Sequence, residues 1–214
     1  MKYIQKNKEP DSFTKWKQKL GNRTPDWKSF PQPVKNEVYY SLLQEQGFVC
    51  CYCGMSIARK QCHIEHFRPK SVYKDLTFEY TNLIASCQGE DEHRPRVPVH
   101  CGHKKQAWFD EELMISPLDP KCVDYFKYSG FGEILPTDDH EKQAAAKTTI
   151  QKLALSIDKL RKMRRAAIDA TLLATDGLTA TEIQLLAQGY EKPDPDGRYT
   201  PFSATIMYIL KQYF

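Results

Sequence analysis

The chain has 214 residues, 41% of them hydrophobic, and a formal net charge of +4. That size and apolar content suit a substantial packed core and argue against wholesale disorder. No apolar run approaches membrane-spanning length, and the first ten residues lack the apolar centre of a secretory leader, so the expectation is a cytoplasmic protein with reduced thiols and no membrane association.

Three segments are expected. Residues 1–47 read as an N-terminal helical region, with a helix after Pro33 that carries Val38, Leu42 and Leu43 inward and ends at Gly47. Residues 48–115 are short, irregular and rich in Cys, His and Pro, which predicts strands and loops around metal. Residues 116–214 read as a hairpin with Gly130 and Gly132 near its turn, followed by helices. Asp138 and Glu141 predict a capping box opening one long helix with an apolar stripe at Ile150, Leu153, Ile157, Leu160 and Met163, broken at Asp176-Gly177. Thr179 and Glu182 predict a second capping box, on a helix closed by Gly189. Thr200-Pro201 predicts the start of a last helix packed through Phe202, Ile206 and Leu210. The fold class is therefore α+β, a mixed core between helical extensions.

Seven cysteines, four of them between positions 50 and 62, favour metal ligation in a reducing compartment. Cys50 and Cys53 have the spacing of a zinc knuckle. Cys87 and Cys101 form a second pair around an inserted loop containing Glu90, Asp91, Glu92, Pro95 and Pro98. A structural Zn²⁺ on Cys50, Cys53, Cys87 and Cys101 is the preferred reading, with His100 the substitute ligand. Cys51, Cys62 and Cys122 read as small buried hydrophobes.

His63-Ile64-Glu65-His66 lies inside this frame, followed by Arg68-Pro69-Lys70-Ser71, Asn82-Leu83 and His103. On a strand, Glu65 and His66 project to opposite faces. The acid suits a hard cation, and a neutral imidazole is a competent base toward a water attacking phosphorus. Asn82 fixes either the histidine's tautomer or the connecting loop, and His103 is a candidate second ligand of the ion. His63 shares a face with Glu65 and is open to either metal. His93 and His140 read as ordinary polar residues. Arg68 and Lys70 are candidate phosphate contacts. Basic residues also gather at Arg59, Lys60 and Lys74, at Arg94, Arg96, Lys104 and Lys105, and at Lys159, Arg161, Lys162, Arg164 and Arg165.

The order Cys-x-Tyr-Cys-Gly, His-x-Glu-His-x-x-Pro-Lys-Ser, Asn-Leu-x-x-x-Cys and Cys-Gly-His-Lys-Lys over residues 48–105 resembles the zinc-framed HNH endonucleases. More narrowly, it is similar to the PtuB group of Septu antiphage systems, also found as retron effectors. The resemblance implies a ββα-metal core with His66 as general base, Glu65 and His103 on a catalytic divalent ion (Mg²⁺ or Mn²⁺), Asn82 as the central asparagine and the four cysteines on zinc. Lys104 and Lys105 join Arg68 and Lys70 as expected nucleic-acid contacts. The implied partners are a nucleic-acid substrate, a PtuA-type ATPase, and a retron reverse transcriptase with its RNA–DNA product. Two departures stand out: glutamate replaces the usual aspartate before His66, and Gly102 separates Cys101 from His103. The chain has no Gly-x4-Gly-Lys-Ser/Thr loop, so it is not expected to hydrolyse ATP itself. A zinc-stabilised adaptor without catalysis is the alternative. A peptide hydrolase fits poorly, because His63-x-x-His66 lacks the His-Glu-x-x-His order.

Overall fold

The computed structural model describes residues 1–21, 23, 25–89 and 98–214. Among these residues there are seven α-helices and two separate two-stranded antiparallel sheets, an α+β arrangement. None of these helices is long and apolar enough to cross a membrane. Glu90, Asp91, Glu92, His93, Arg94, Pro95 and Arg96, which carry the expected loop and two of the basic positions, lie outside the described residues.

Helix α1 (Asp11–Leu20) opens with an acidic residue at its positive end and buries Phe13. Helix α2 (Gln32–Glu45) starts on a proline in its first turn and buries Val38, Leu42 and Leu43, as its periodicity predicts. The chain then turns through Gly47 and Phe48, both left-handed. Buried Gln46 spans the gap from this turn to the first sheet. Its Nε2 donates to Val49 O and Ala85 O, and its Oε1 accepts from Ala85 N.

Strand β1 (Cys62–His66) pairs with β2 (Leu83–Cys87), placing Cys62 opposite Cys87 and His66 opposite Leu83. The short helix α3 (Cys101–Lys105) follows and packs on β2. A second hairpin, β3 (Phe126–Tyr128) and β4 (Ile134–Pro136), turns through Gly132.

The expected long helix is two helices, α4 (His140–Lys152) and α5 (Asp158–Ala174). No glycine or proline marks the break. Ala154 turns left-handed at it, Leu153 O accepts from Cys101 N, and Leu155 O accepts from the guanidinium of Arg164. These bonds replace two intrahelical ones; of the expected stripe, Ile150, Leu153 and Leu160 are buried, Ile157 packs half-buried against the core, and Met163 is half-buried. The N-cap of α4 is Asp139, not Asp138, which instead pairs with Lys127.

Helix α6 (Ala180–Glu191) has the predicted Thr179–Glu182 capping box and runs two residues past Gly189. Helix α7 (Ser203–Leu210) begins after left-handed Phe202, later than Thr200-Pro201 predicts. It still buries Phe202, Ile206 and Leu210. One apolar core runs through all three sequence segments, from Phe13 and Leu42 through Ile84 to Leu160 and Ile209, while α6 and α7 share a small second cluster.

Candidate metal centres and catalytic cleft

The four expected zinc ligands come together. The sulfurs of Cys50, Cys53, Cys87 and Cys101 lie within 4.8 Å of one another, all buried. A tetrahedron with Zn–S near 2.3 Å has edges of roughly 3.8 Å, and the Cys53–Cys87 sulfur separation is 3.9 Å. The turn Cys50–Gly54 brings the first pair together by Gly54 N donating to Cys50 O, with Gly54 left-handed. The register of β2 presents Cys87, and Cys101 enters from the start of α3.

Burial alone opposes charge on Cys50. Hydrogen bonds from Cys101, Cys51, Cys53 and Cys87 outweigh it and hold that thiol well below its usual pKa. Burial and the same contacts push Cys101 up. These four cysteines can hold a structural metal such as zinc. Cys51, Cys62 and Cys122 are buried outside the group. His100 is buried with Nε2 at 3.7 Å from Cys87 Sγ and Nδ1 at 3.3 Å from Pro98 O, so it flanks the sulfurs.

On the other side of β1 and α3 lies a cleft of about 650 Å³, lined by Glu65, His66, Lys70, Lys74 and His103 together with Trp27 from the N-terminal segment. His66 Nε2 is 3.0 Å from Thr77 O. A carbonyl only accepts, so this nitrogen carries the proton and Nδ1 carries the lone pair. Trp27 meets the imidazole edge-on, with ring centroids 4.5 Å apart. Burial, reinforced by the Lys70 charge, lowers the His66 pKa to about 4, which keeps the ring neutral at physiological pH.

The side-chain hydrogen bonds of Asn82 go to the loop rather than to His66. Asn82 Nδ2 donates to Arg68 O and Leu76 O, and its Oδ1 accepts from Arg68 N. It therefore staples the 67–82 loop, and through that loop positions Thr77 O. Of the two roles the sequence leaves open for it, the loop is the one its contacts fill.

Glu65 is buried, as is His66, and both line the cleft. Glu65 Oε1 lies 2.8 Å from Lys105 Nζ and accepts from Tyr52 OH at 3.4 Å; its Oε2 lies 3.3 Å from His63 Nε2. Burial raises the carboxyl pKa, but the His63 hydrogen bond and the Lys105 charge outweigh it, so Glu65 stays ionised. The rings of His63 and His103 are 4.3 Å apart, and His103 Nε2 meets Gln88 Oε1 at 3.0 Å.

A Cβ on Gly102 would stand 2.6 Å from both Glu65 Oε2 and His63 Nε2, so glycine keeps open the space in front of these two donor atoms. Among the described residues, the four cysteines alone gather three or more metal-donor atoms, and His63, Glu65 and His103 do not form such a group.

The basic candidates divide. Lys70 lines the cleft. Arg68 turns away to Glu111 and to the rings of Tyr73 and Phe109. Lys105 is 2% exposed and its ammonium serves Glu65 and His66 O, so no phosphate reaches it. Lys104 is exposed beside Trp108 and Lys152, in a different depression. Arg161, Lys162 and Arg165 are paired with Asp158 and Asp169, and Arg164 is buried. Lys74 and Trp27 belong to the cleft. Lys74 was readable only as one charge in a cluster, and nothing in the sequence around Trp27 announces it.

Compared with known protein-family models and with curated protein sequences, the chain gives no significant match.

Proposed function

We propose that the chain is a metal-dependent endonuclease that hydrolyses phosphodiester bonds of nucleic acid. The observation that carries this reading is the state of His66. It is a neutral imidazole in a cleft, its Nε2 proton committed to Thr77 O, beside an ionised Glu65 and a lysine-lined rim.

In this reading His66 Nδ1 takes the proton of the attacking water. Thr77 O and Trp27 hold the ring so that this nitrogen faces the cleft. Glu65 and His103 hold the divalent ion, which when bound stabilises negative charge on the scissile phosphate and the leaving oxygen. Lys105 keeps Glu65 ionised and orients it. Lys70 and Lys74 draw the phosphate backbone to the rim. Zinc on the four cysteines fixes β2 and the start of α3 relative to each other, and so fixes the distance between Glu65 and His103.

We further propose, from the motif order over residues 48–105, that the nuclease is the effector of an antiphage complex with a PtuA-type ATPase. The test is cleavage of plasmid DNA and of total RNA by the purified chain, with and without a co-expressed ATPase, in Mg²⁺, Mn²⁺ and Ni²⁺. Metal-dependent cleavage that the ATPase enhances or restrains supports both parts and identifies the substrate class. Nucleic-acid binding without cleavage, in every ion and with either partner state, overturns the nuclease and leaves a zinc-stabilised adaptor.

A further inference from the structure

We propose that Trp27, Lys35 and Arg59 form a binding track that leads out of the cleft and takes an unpaired nucleic-acid strand, one base of which stacks on Trp27. The inference rests on the nuclease reading and deepens it by naming the form of the substrate. Its residues lie outside the cysteine and histidine motifs.

Lys35, near the start of α2, places its ammonium 5.2 Å from the centre of the Trp27 ring, and Lys70, from the loop after β1, places its own at 5.7 Å. Two cations thus converge on one indole. Arg59, in the short turn before β1, is held against α2: its guanidinium lies 3.6 Å from the centre of the Tyr39 ring, and Nη2 donates to Asn36 Oδ1 at 2.9 Å.

None of Lys35, Arg59 and Lys70 is in an ion pair with a carboxylate among the described residues. Burial and the like charges of Arg59 and Lys70 lower the Lys35 pKa. The basic residues of α5 differ, since Asp158 and Asp169 pair with Arg161, Lys162 and Arg165. Asp26, the one exposed acid lining the cleft, is turned to the backbone N–H of Lys28.

Packing accounts for part of this arrangement. Trp27 sits against Phe30 and Phe78 with ring centroids 5.2 and 5.4 Å away, and a cation–π contact suits each lysine. Packing gives no reason to gather like charges around a half-buried ring that still lines the cleft. A nucleic-acid strand gives one: the cations meet backbone phosphates, and the ring meets the face of a base. Ammoniums on flexible stems yield the ring to that base and stay beside its phosphates.

The same geometry favours an unpaired strand. His66 is only 5% exposed, and its ring centroid is 4.5 Å from that of Trp27. The phosphate beside a base held at Trp27 therefore comes to His66. In a duplex that base is paired and stacked inside the helix, and extracting it costs energy that a single strand does not pay.

The experiment is fluorescence anisotropy of a fluorescein-labelled strand of about 20 nucleotides, as DNA and as RNA, single or annealed to its complement. The zinc-loaded full chain is titrated in without added Mg²⁺ or Mn²⁺, over a series of NaCl concentrations. Wild type is expected to bind the single strand at least tenfold more tightly than the duplex. Trp27→Leu is expected to weaken the single strand about tenfold, the loss of one stacked base, with the duplex unchanged. Lys35→Gln combined with Arg59→Gln removes two phosphate contacts and is expected to flatten the slope of log affinity against log salt by about 1.4. Lys162→Gln, whose ammonium is already paired with Asp158, is expected to leave the slope unchanged.

Duplex bound as tightly as the single strand, or an unchanged salt slope in the Lys35 and Arg59 double variant, overturns the track. Should Trp27→Leu fail to fold, the salt slope of the double variant decides alone. Cleavage after Mn²⁺ is added separates the two claims. Single strand and duplex cut at equal rates, undiminished by Trp27→Leu, remove the track and leave the nuclease. Trp27-dependent binding of the single strand by a chain that cuts no nucleic acid removes the nuclease and leaves the track.

Discussion

Lys105 carries its charge inside the protein, where an ammonium is normally too costly to keep without a partner. Its side chain is fully enclosed, with Glu65 Oε1 at 2.8 Å and His66 O at 3.1 Å. One lysine thus fixes both halves of the Glu65-His66 pair. Replacing it with Met leaves Glu65 buried against Tyr52 and His63 without a fixed cation. Lys105→Met is expected to cost about 3–5 kcal/mol in urea unfolding and to reduce cleavage even at saturating metal. Wild-type stability in this variant would show that the pair contributes nothing net. The Cys-Gly-His-Lys-Lys sequence places Lys105 among basic residues, which are nearly always on the surface, so its burial is unreadable without knowing that α3 lies against β1. The same approach of α3 explains Gly102, and with it the one-residue offset between Cys101 and His103.

At the scale of elements, local signals were readable wherever local chemistry decides the structure. The apolar spacing of α2, the Thr179–Glu182 capping box and the turn glycine of the β3–β4 hairpin all act within a few residues of themselves. The break between α4 and α5 does not. At the break Leu153 O is taken by Cys101 N, far away in the chain, and Leu155 O by the Arg164 side chain of the next helix, so an unbroken stripe was the natural reading of residues 150–163. Arg164 also donates to Gly132 O, which locks the hairpin to α5. Gly132 has φ +80°, and a Cβ there would run into Arg161 O and stand 2.6 Å from Arg165 N. Gly132→Ala is accordingly expected to destabilise by at least about 2 kcal/mol, through left-handed strain together with the clash. Thermal unfolding checks it, and a loss under about 0.5 kcal/mol would mean that the hairpin does not depend on this close approach. The two-residue Cys50–Cys53 spacing was legible because both ligands sit in one turn. The second pair needed β2 and α3 to be placed before it could be verified.

Across the whole molecule, the three segments read from the sequence share one apolar core, and the four-cysteine group lies within it. The N-terminal segment also contributes Trp27 to the cleft. A metal held by these cysteines would therefore stabilise more than residues 48–115. Removing it by Cys53→Ser or by a strong chelator is expected to cost at least about 4 kcal/mol, roughly 8–16 °C in Tm for a chain of this size. A single cooperative transition should persist. Two separated transitions, with the C-terminal helices melting at their original temperature, would show that the core is not shared in energetic terms.

The most direct measurement of the central claim compares wild type with His66→Ala in single-turnover cleavage of plasmid DNA and total RNA under the most active divalent ion. Zinc content and thermal stability are recorded on the same samples. The expected result is a fall in cleavage of at least about 10²-fold with zinc retained and Tm within a few degrees. Cleavage by His66→Ala at the wild-type rate would contradict the account, because His66 is the imidazole whose proton is fixed by Thr77 O and which the account makes the base.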